Sequence, residues 1–297
     1  MSEPKVNING KIFSSENAKI SVFDHGLLYG DGVFEGIRFY NGRIFKFDEH
    51  ISRLDESARH ILLKLPMTLD EIKQETIKTI KASKMKNGYI RLIITRGVGS
   101  LGISPYKCPN AQLIIIVDVI SLYPEELYKN GMAIITVPTQ RNMSEAVSPR
   151  VKSLNYLNNV LAKIEAVNAG FEEAIMLNKY GFIAECTGDN IFIIKNKTII
   201  TPPAYMGALE GVTRNTVMEI ASEIGKESGI FVKQRVMSRH DVFTSDECFL
   251  TGTAAEVIPV TKVDGRPVGD GKVGKITEIL RKAFIKCTQT TGTPIYE

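Results

Sequence analysis

The chain has 297 residues, of which 37 are basic, 33 are acidic and 43% are hydrophobic. At roughly 100–200 residues per domain, this length predicts about two domains with sizeable cores. The composition excludes a disordered chain, a collagen and a disulfide-stapled mini-domain. A net charge of +4 is too small to indicate a nucleic-acid partner.

The cysteines and histidines show no metal-binding or redox spacing, since no CxxC pair and no HExxH motif occurs. The N-terminal residues lack the apolar core of a signal peptide. The longest apolar run, residues 113–117, is far short of the ~20 residues that a membrane helix needs. These features predict a soluble cytoplasmic protein with no metal site and no membrane partner.

The first part of the chain begins with hairpins. Asn9-Gly10 and Asn41-Gly42 each lie between alternating apolar residues. Both dipeptides predict tight turns, because asparagine and glycine tolerate a positive φ. The second hairpin is expected to join strands at 34–40 and 43–47.

Two helices are predicted next. Asp48 is the expected N-cap of the first, whose apolar positions recur at helical spacing from 51 to 65. Thr68 and Glu71 form a capping-box pattern for the second, which ends near Lys84. Strands are expected at 89–96 and 112–120.

The pattern changes at 122–130, the predicted linker between a small N-terminal domain (1–121) and a large cofactor-binding domain (131–297). In the large domain, short strands alternate with helices, which indicates an α+β or mixed α/β fold. The expected strands are 132–137, 173–177, 182–186, 190–194, 198–201, 230–234, 247–250 and 257–263. One expected helix carries an apolar face made of Leu157, Val160, Leu161, Ile164 and Val167.

The segment Gly97–Gly102 matches the dinucleotide-binding pattern GxGxxG, and Asp118 follows at a suitable distance. A dinucleotide site also needs a helix N-terminus directly after the glycines. Pro105 and Pro109 interrupt any such helix. A flexible loop beside a site is therefore the favoured interpretation over a nicotinamide oxidoreductase.

Two other segments could bind an anion. Gly211-Val-Thr213 precedes a helix and offers backbone N–H groups, with a plain N-cap as the alternative. Thr251–Ala255 combines small residues and hydroxyls after an apolar strand, and a tight turn without a ligand is equally consistent with it.

Three charged residues are ambiguous from local spacing alone. Arg53 on the first helix resembles an ordinary solvated arginine. Lys152 precedes a helix, and a buried lysine can act as a nucleophile, although most lysines are exposed. Glu185 lies in a predicted strand, where it is either buried or a common surface carboxylate.

Seven segments, taken in order, resemble the branched-chain amino acid aminotransferases, which are pyridoxal-phosphate enzymes of fold type IV. The segments are Asp24–Arg38, His50–Leu54, Tyr89–Arg91, Val151–Tyr156, Ala184–Asn190, Gly211–Arg214 and Thr251–Pro259. The resemblance implies a small α/β domain, a larger β-barrel-like domain with helices, and pyridoxal 5′-phosphate as cofactor. It also implies a homodimer with shared active sites, or a larger homo-oligomer.

The resemblance also implies residue roles at the cofactor. Lys152 would bind the cofactor covalently and carry the proton between Cα and C4′. Glu185 would pair with the pyridine nitrogen and keep the ring an electron sink, and Tyr156 would bond the ring 3-oxygen. The other expected cofactor-binding residues, most of them at the phosphate, are Arg53, Leu209, Gly211, Val212, Thr213 and Thr253.

The implied reaction is ping-pong transamination of L-leucine, L-isoleucine and L-valine with 2-oxoglutarate, in branched-chain amino acid biosynthesis. Tyr89 would bind the α-carboxylate with the N–H groups of Thr253 and Ala254, and Arg91 would bind the γ-carboxylate of glutamate. Tyr29, Phe34 and the loop with Leu101 and Ile103 would form the apolar wall. Tyr29 and this loop would reach across the dimer interface. The remaining expected substrate-binding residues are Gly36, Arg38 and Ala255.

Some features leave alternatives. The D-amino acid aminotransferases share Val-Lys-Ser-Leu-Asn but carry an Arg-x-His pair that Gly102-Ile-Ser-Pro105 lacks. Aminodeoxychorismate lyases lack the Phe-Glu-Gly-Ile-Arg element of this chain. The spacing from Lys152 to Tyr156 is one residue shorter than in some bacterial branched-chain enzymes. A nicotinamide oxidoreductase and a non-catalytic binding protein are the alternatives from other classes.

Overall fold

The computed structural model describes residues 3–296 and divides the chain into two compact units. The first unit comprises Met1–Ile120, Val151–Asn155 and Thr288–Glu297, and the second comprises Ser121–Arg150 and Tyr156–Cys287. The domain boundaries expected from the sequence stay a prediction. No helix within residues 3–296 is both long enough and apolar enough to cross a membrane.

The first unit contains one antiparallel sheet and three α-helices within the described residues. Its strands are β1 (Lys5–Ile8), β2 (Lys11–Ser14), β3 (Gly32–Tyr40), β4 (Arg43–Ile44), β5 (Gly88–Thr95), β6 (Gln112–Asp118) and β16 (Thr293–Pro294). They lie in the order β16-β4-β3-β5-β6-β1-β2. The helices are α1 (His25–Tyr29), α2 (Phe47–His60) and α3 (Leu69–Ser83).

The predicted turns and the capping box are confirmed. Asn9 and Gly10 have φ values of 50° and 85°, and Asn41 and Gly42 have values of 50° and 75°. Both pairs join antiparallel strands, as their tolerance of positive φ predicts. The Thr68 side chain accepts from the backbone N–H of Glu71 and caps α3.

The expected N-cap of α2 is wrong by two residues, and its expected end at Leu65 is wrong by five. The strand before it ends at Ile44, and α2 begins at Phe47 with Lys46 at the N-cap in a left-handed conformation. Asp48 lies in the first turn, where a carboxylate is also favourable because of the helix dipole, so it resembled a cap. Leu62 has a φ of 52° and lies just beyond the C-terminal end of α2, so the helix ends before Leu65.

The second unit contains a mixed sheet of nine strands and four α-helices that lie wholly within it. Its strands are β7 (Met132–Thr136), β8 (Ala174–Leu177), β9 (Ile183–Cys186), β10 (Asn190–Lys195), β11 (Thr198–Thr201), β12 (Phe231–Gln234), β13 (Glu247–Gly252), β14 (Glu256–Val263) and β15 (Arg266–Pro267). Their order is β12-β11-β10-β13-β14-β7-β8-β9, with β15 beside β14. Parallel pairs join β11 to β12, β14 to β7 and β7 to β8.

The helices of this part are α4 (Glu125–Asn130), α5 (Leu157–Asn168), α6 (Val212–Ser228) and α7 (Arg239–Phe243), followed by α8 (Lys275–Thr290), which extends past Cys287. The expected helix at 157–167 is confirmed as α5, but its apolar face is not buried. Leu157, Val160, Leu161, Ile164 and Val167 are 47–69% exposed, whereas α5 buries Asn159, Ala162 and Ala166. The sequence periodicity therefore located the helix and its apolar stripe correctly, but it did not reveal that this stripe is exposed in the single chain.

Candidate active site

Lys152 lies in the first unit, in a segment that two elements hold by its backbone. The Lys152 carbonyl accepts from the N–H of Phe34 in β3 at 2.9 Å. Its own N–H donates to Oγ of Ser57 in α2 at 3.2 Å. The side chain is half-buried, and Nζ lies 4.7 Å from the centroid of the Phe34 ring. A fixed backbone and an apolar neighbour suit an amine that must react at one position.

Arg53 is not the solvated arginine that its local sequence suggests. Its side chain is 11% exposed and forms a bidentate ion pair with Glu35, with Nε–Oε1 and Nη2–Oε2 distances of 2.7 Å. Nδ1 of His50 is 2.7 Å from the same carboxylate. Burial alone would raise the pKa of Glu35, but Arg53 and then His50 outweigh burial and hold that pKa well below its usual range.

Arg91 is a half-buried cation beside aromatic rings. It lies in β5, and its guanidinium carbon is 4.6 Å from the Phe34 ring centroid and 5.6 Å from that of Tyr89. Within residues 3–296 no carboxylate forms an ion pair with Arg91. A placed arginine without an acidic partner is available to a carboxylate ligand.

The residues opposite β5 give this part of the site its shape. Gly36 in β3 pairs with Arg91, and Arg38 pairs with Tyr89. A Cβ on Gly36 would lie 2.1 Å from the Tyr89 hydroxyl oxygen, so only glycine leaves room for that hydroxyl. The guanidinium of Arg38 lies 5.1 Å from the centroid of the Tyr40 ring.

The segment with the GxGxxG pattern is a loop, as the sequence predicts. Residues 97–104 contain no helix, and only a short 3₁₀ turn follows at Pro105–Lys107. The Tyr29 hydroxyl accepts from the N–H of Gly102 at 2.9 Å. Leu101 and Ile103 are 67% and 83% exposed. The helix N-terminus that a dinucleotide needs is therefore missing from the described part of the loop.

Glu185 lies in β9 of the second unit and is 5% exposed, so it is not a surface carboxylate. Its Oε1 accepts from Nε of Arg141 at 2.8 Å, and its Oε2 accepts from the N–H of Leu209 at 2.9 Å. Arg141 also donates to Oδ1 of Asn158 at 3.0 Å. A buried carboxylate that accepts from a cation on one oxygen and from a backbone N–H on the other is fixed in place.

Gly211 is the N-cap of α6, and Val212 and Thr213 form the first turn. No side chain caps this end, so its first N–H groups have the orientation that binds an anion. A Cβ on Gly211 would lie 2.1 Å from Oδ1 of Asn190, and Nδ2 of the same side chain donates to the Leu209 carbonyl at 2.9 Å. Asn190 thus connects this helix end to the neighbourhood of Glu185.

Thr253, Ala254 and Ala255 form the turn that follows β13. Just before it, the Thr251 hydroxyl is buried and has no hydrogen-bond partner among the described residues. A Cβ on Gly252 would lie 2.0 Å from Oδ1 of Asp189, so the turn needs glycine at that point. The turn thus follows a tightly packed glycine and a buried hydroxyl that has no protein partner, and such a hydroxyl suits an anion ligand.

The expected site residues fall into two groups. In the first unit the structure brings Lys152, Phe34, Arg91 and Tyr89 together, and it joins Arg53 to Glu35. In the second unit it joins Glu185 to Leu209, while Tyr156 is the N-cap of α5. The roles of all these residues stay predictions.

Sequence reasoning missed Glu35 and Arg141 as partners of site residues. Glu35 alternates with the apolar residues Val33, Ile37 and Phe39 along one strand, and an acidic residue in such a pattern is a signal that could have revealed it. Arg141 follows a strand end without any local pattern, so nothing in the sequence marked it.

The family model described as amino-transferase class IV matches residues 32–263, so the chain belongs to this family. A relative from Methanocaldococcus jannaschii is 45% identical over 293 residues, which cover 99% of each chain. The branched-chain amino acid aminotransferase of Escherichia coli has 32% identity and a TM-score of 0.91, covering 98% of this chain and 96% of that one.

A third similar structure is the T.th. branched-chain amino acid aminotransferase complexed with N-(5′-phosphopyridoxyl)-L-glutamate. It has 32% identity and a TM-score of 0.88, covering 96% of this chain and 93% of that one. The predicted fold type IV architecture, the enzyme class and pyridoxal phosphate as cofactor are therefore confirmed.

The residues of this chain fit pyridoxal phosphate. The uncapped start of α6 and the unsatisfied Thr251 hydroxyl suit a phosphate. The buried carboxylate of Glu185 suits a protonated pyridine nitrogen. Lys152 is an amine beside an apolar ring, as a covalent attachment point requires.

Proposed function

We propose that this protein transfers the amino group of L-leucine, L-isoleucine and L-valine to 2-oxoglutarate. The observation that carries the proposal is the position of Arg91 on the Phe34 ring, which also contacts Lys152. One ring thus supplies an apolar wall for a branched side chain, and the arginine beside it supplies a cation for a γ-carboxylate. The similar T.th. enzyme, complexed with a phosphopyridoxyl derivative of glutamate, supports the second substrate.

Bound pyridoxal phosphate supplies an aldehyde that accepts the amino group and a ring that delocalises the electron pair left at Cα. Lys152 binds the cofactor and carries the proton between Cα and C4′. Glu185, held in place by its ion pair with Arg141, keeps a proton on the pyridine nitrogen. Tyr156 bonds the ring 3-oxygen.

The cofactor phosphate is held by Arg53, the N–H groups of Val212 and Thr213, and Thr253, with Leu209 and Gly211 shaping that side. Helix N-termini and arginine forks are the usual phosphate ligands in proteins. The substrate α-carboxylate is bound by Tyr89 and the N–H groups of Thr253 and Ala254. Gly36, Arg38 and Ala255 border the substrate.

The two substrates alternate in one site, so the kinetics are ping-pong. An amino acid leaves as its 2-oxo acid before the second acid enters, and Arg91 contacts only the acid that carries a γ-carboxylate. Tyr29, Leu101 and Ile103 enclose the side chain. The Tyr29 hydroxyl accepts a hydrogen bond from the N–H of Gly102, so this contact holds Tyr29 and the loop with Leu101 and Ile103 together.

The protein acts as a homodimer with shared active sites in the cytoplasm. The exposed apolar face of α5 supports the dimer, because five adjacent apolar side chains are rarely left in water. The four cysteines are free thiols, as is usual in a reducing compartment. Run toward the amino acids, this transamination is the amino-group transfer that branched-chain amino acid biosynthesis requires.

An amino-donor screen with 2-oxoglutarate as acceptor tests this function. L-leucine, L-isoleucine and L-valine should be converted to their 2-oxo acids with one equivalent of glutamate formed. Turnover of D-alanine instead would assign the chain to the D-amino acid aminotransferases. Release of pyruvate from aminodeoxychorismate would assign it to the lyases of the same fold.

A further inference from the structure

Glu35 is an acidic residue at a core position. Its neighbours on the same face of β3, Val33, Ile37 and Phe39, are 0% exposed and belong to the apolar core, and Glu35 is also 0% exposed. A buried carboxylate has a large desolvation cost even when it is paired. Apolar residues of similar volume would often stabilise the fold equally well, so the contacts of Glu35 need a reason other than stability.

Those contacts fix one edge of the Arg53 guanidinium. Nε and Nη2 each donate to a Glu35 oxygen at 2.7 Å. Because the guanidinium is planar, this pairing sets the orientation of the whole group, and the Nη1 edge lies opposite Glu35. His50, one helical turn before Arg53, is 2.7 Å from the same carboxylate.

Lys152 is held by the same strand and helix. Phe34, the residue before Glu35, donates to the Lys152 carbonyl at 2.9 Å. Ser57, one turn after Arg53, accepts from the Lys152 N–H at 3.2 Å. The Glu35–Arg53 ion pair thus joins β3 to α2. The backbone of Lys152 contacts the same two elements, at the residue before Glu35 and one helical turn after Arg53.

The charges of this group are balanced. Burial lowers the pKa of His50 against the opposing effect of Glu35, and the charges of Arg53 and Lys152 lower it further. His50 is therefore neutral near pH 7, and Glu35 is ionised because its own pKa is held low. One carboxylate thus balances one arginine, and His50 adds a hydrogen bond without adding charge.

We propose that Glu35 is a positioning residue that holds the Arg53 guanidinium at a set place relative to Lys152. This inference rests on the proposed role of Arg53 at the cofactor phosphate. Glu35 would then determine how strongly the protein prefers a phosphorylated cofactor, without touching the cofactor itself.

The test compares pyridoxal 5′-phosphate with pyridoxal, which has the same ring and aldehyde but no phosphate. Both are titrated into full-length protein freed of cofactor. The measured quantity is the dissociation constant of pyridoxal divided by that of pyridoxal 5′-phosphate, a ratio that expresses the preference for the phosphate form. Glu35→Gln should lower the preference for the phosphate form about 10- to 100-fold, the effect of one hydrogen bond to a charged group. The affinity for pyridoxal should stay within about twofold of the wild-type value, because the ring contacts are intact.

Asp31→Asn is the matched control. Asp31 forms a bidentate pair with Arg96 in the same unit, with Nε–Oδ2 and Nη2–Oδ1 distances of 2.9 Å. Its loss should lower the melting temperature without changing the ratio. If Glu35→Gln behaves like this control, the positioning role is wrong and Glu35 is only structural.

Two further variants separate the possible outcomes. Arg53→Gln should lower the ratio as much as Glu35→Gln, and the double variant should lose little more, because both act on one group. An unchanged ratio in Arg53→Gln would overturn the proposed phosphate role itself. If Glu35→Gln does not fold, Glu35→Asp keeps the charge but shortens the reach, and it must lower the ratio or the inference fails.

Discussion

Replacing Gly36 by alanine should lower the catalytic rate, because little space separates Gly36 from the Tyr89 side chain. A Cβ there would lie 2.1 Å from the Tyr89 hydroxyl oxygen and 2.9 Å from Cζ, whereas ordinary contacts begin at 3.4 Å. The backbone of Gly36 lies in extended strand β3, so it accepts alanine without strain. The hydroxyl must therefore move by about 1 Å, and a displacement of that size at a substrate-binding group costs about 10²-fold in rate.

The assay is kcat/KM for L-leucine with 2-oxoglutarate, together with thermal unfolding of the same preparation. Gly36→Ala should lose about 10²-fold in kcat/KM while it remains folded. Gly188→Ala is the matched control, because the nearest atom to its Cβ would be 3.8 Å away, in ordinary contact. This control should keep its wild-type activity.

A double variant separates a local clash from a general disturbance of the sheet. Gly36→Ala and Tyr89→Phe act on the same hydroxyl, so together they should lose little more than Tyr89→Phe alone. Fully additive losses, or wild-type kcat/KM in Gly36→Ala, would refute the assignment of Tyr89 to the substrate carboxylate.

Three further predictions concern the γ-carboxylate, the pH dependence of stability and the dimer. Arg91→Ala should lower kcat/KM for 2-oxoglutarate about 10- to 100-fold more than that for L-leucine, and equal losses would contradict the substrate division. Burial, followed by the charge of Glu173, raises the pKa of Asp189 from 3.8 to about 7, so the folded state holds this proton more tightly than the unfolded chain. Relative to Asp189→Asn, the wild-type free energy of urea unfolding should therefore fall by on the order of 4 kcal/mol as the pH rises from about 4 to about 8, and then stay level; a constant difference would count against this. Leu161→Glu with Ile164→Glu should give a monomer in light scattering, whereas the control Val119→Glu, also at an exposed apolar residue (71%), should stay dimeric; a dimer in both would exclude the α5 face as the interface.

Features set by neighbouring residues were predictable from the sequence. The Asn-Gly turns at 9–10 and 41–42 and the Thr68 capping box depend on local conformational preferences and a few hydrogen bonds. The strands of the second unit followed from short apolar runs between turn residues. Their pairing order was not predictable, because strands distant in the chain become neighbours in the sheet.

Features that depend on packing between distant segments were not predictable. The apolar stripe of α5 resembled a core face, although small residues such as Ala162 and Ala166 form the buried face. Arg53 resembled a surface residue, because its partner Glu35 lies on another element. Arg141 carried no signal, since only the fold brings it to Glu185.

The most direct test of Lys152 as the attachment point of the cofactor is to reduce the cofactor-loaded protein with borohydride and map the label. A stable phosphopyridoxyl group should be found on the peptide that contains Lys152, and no such label should be found in Lys152→Ala. A label on another lysine, or a protein that carries no pyridoxal phosphate after incubation with it, would exclude Lys152 from this role.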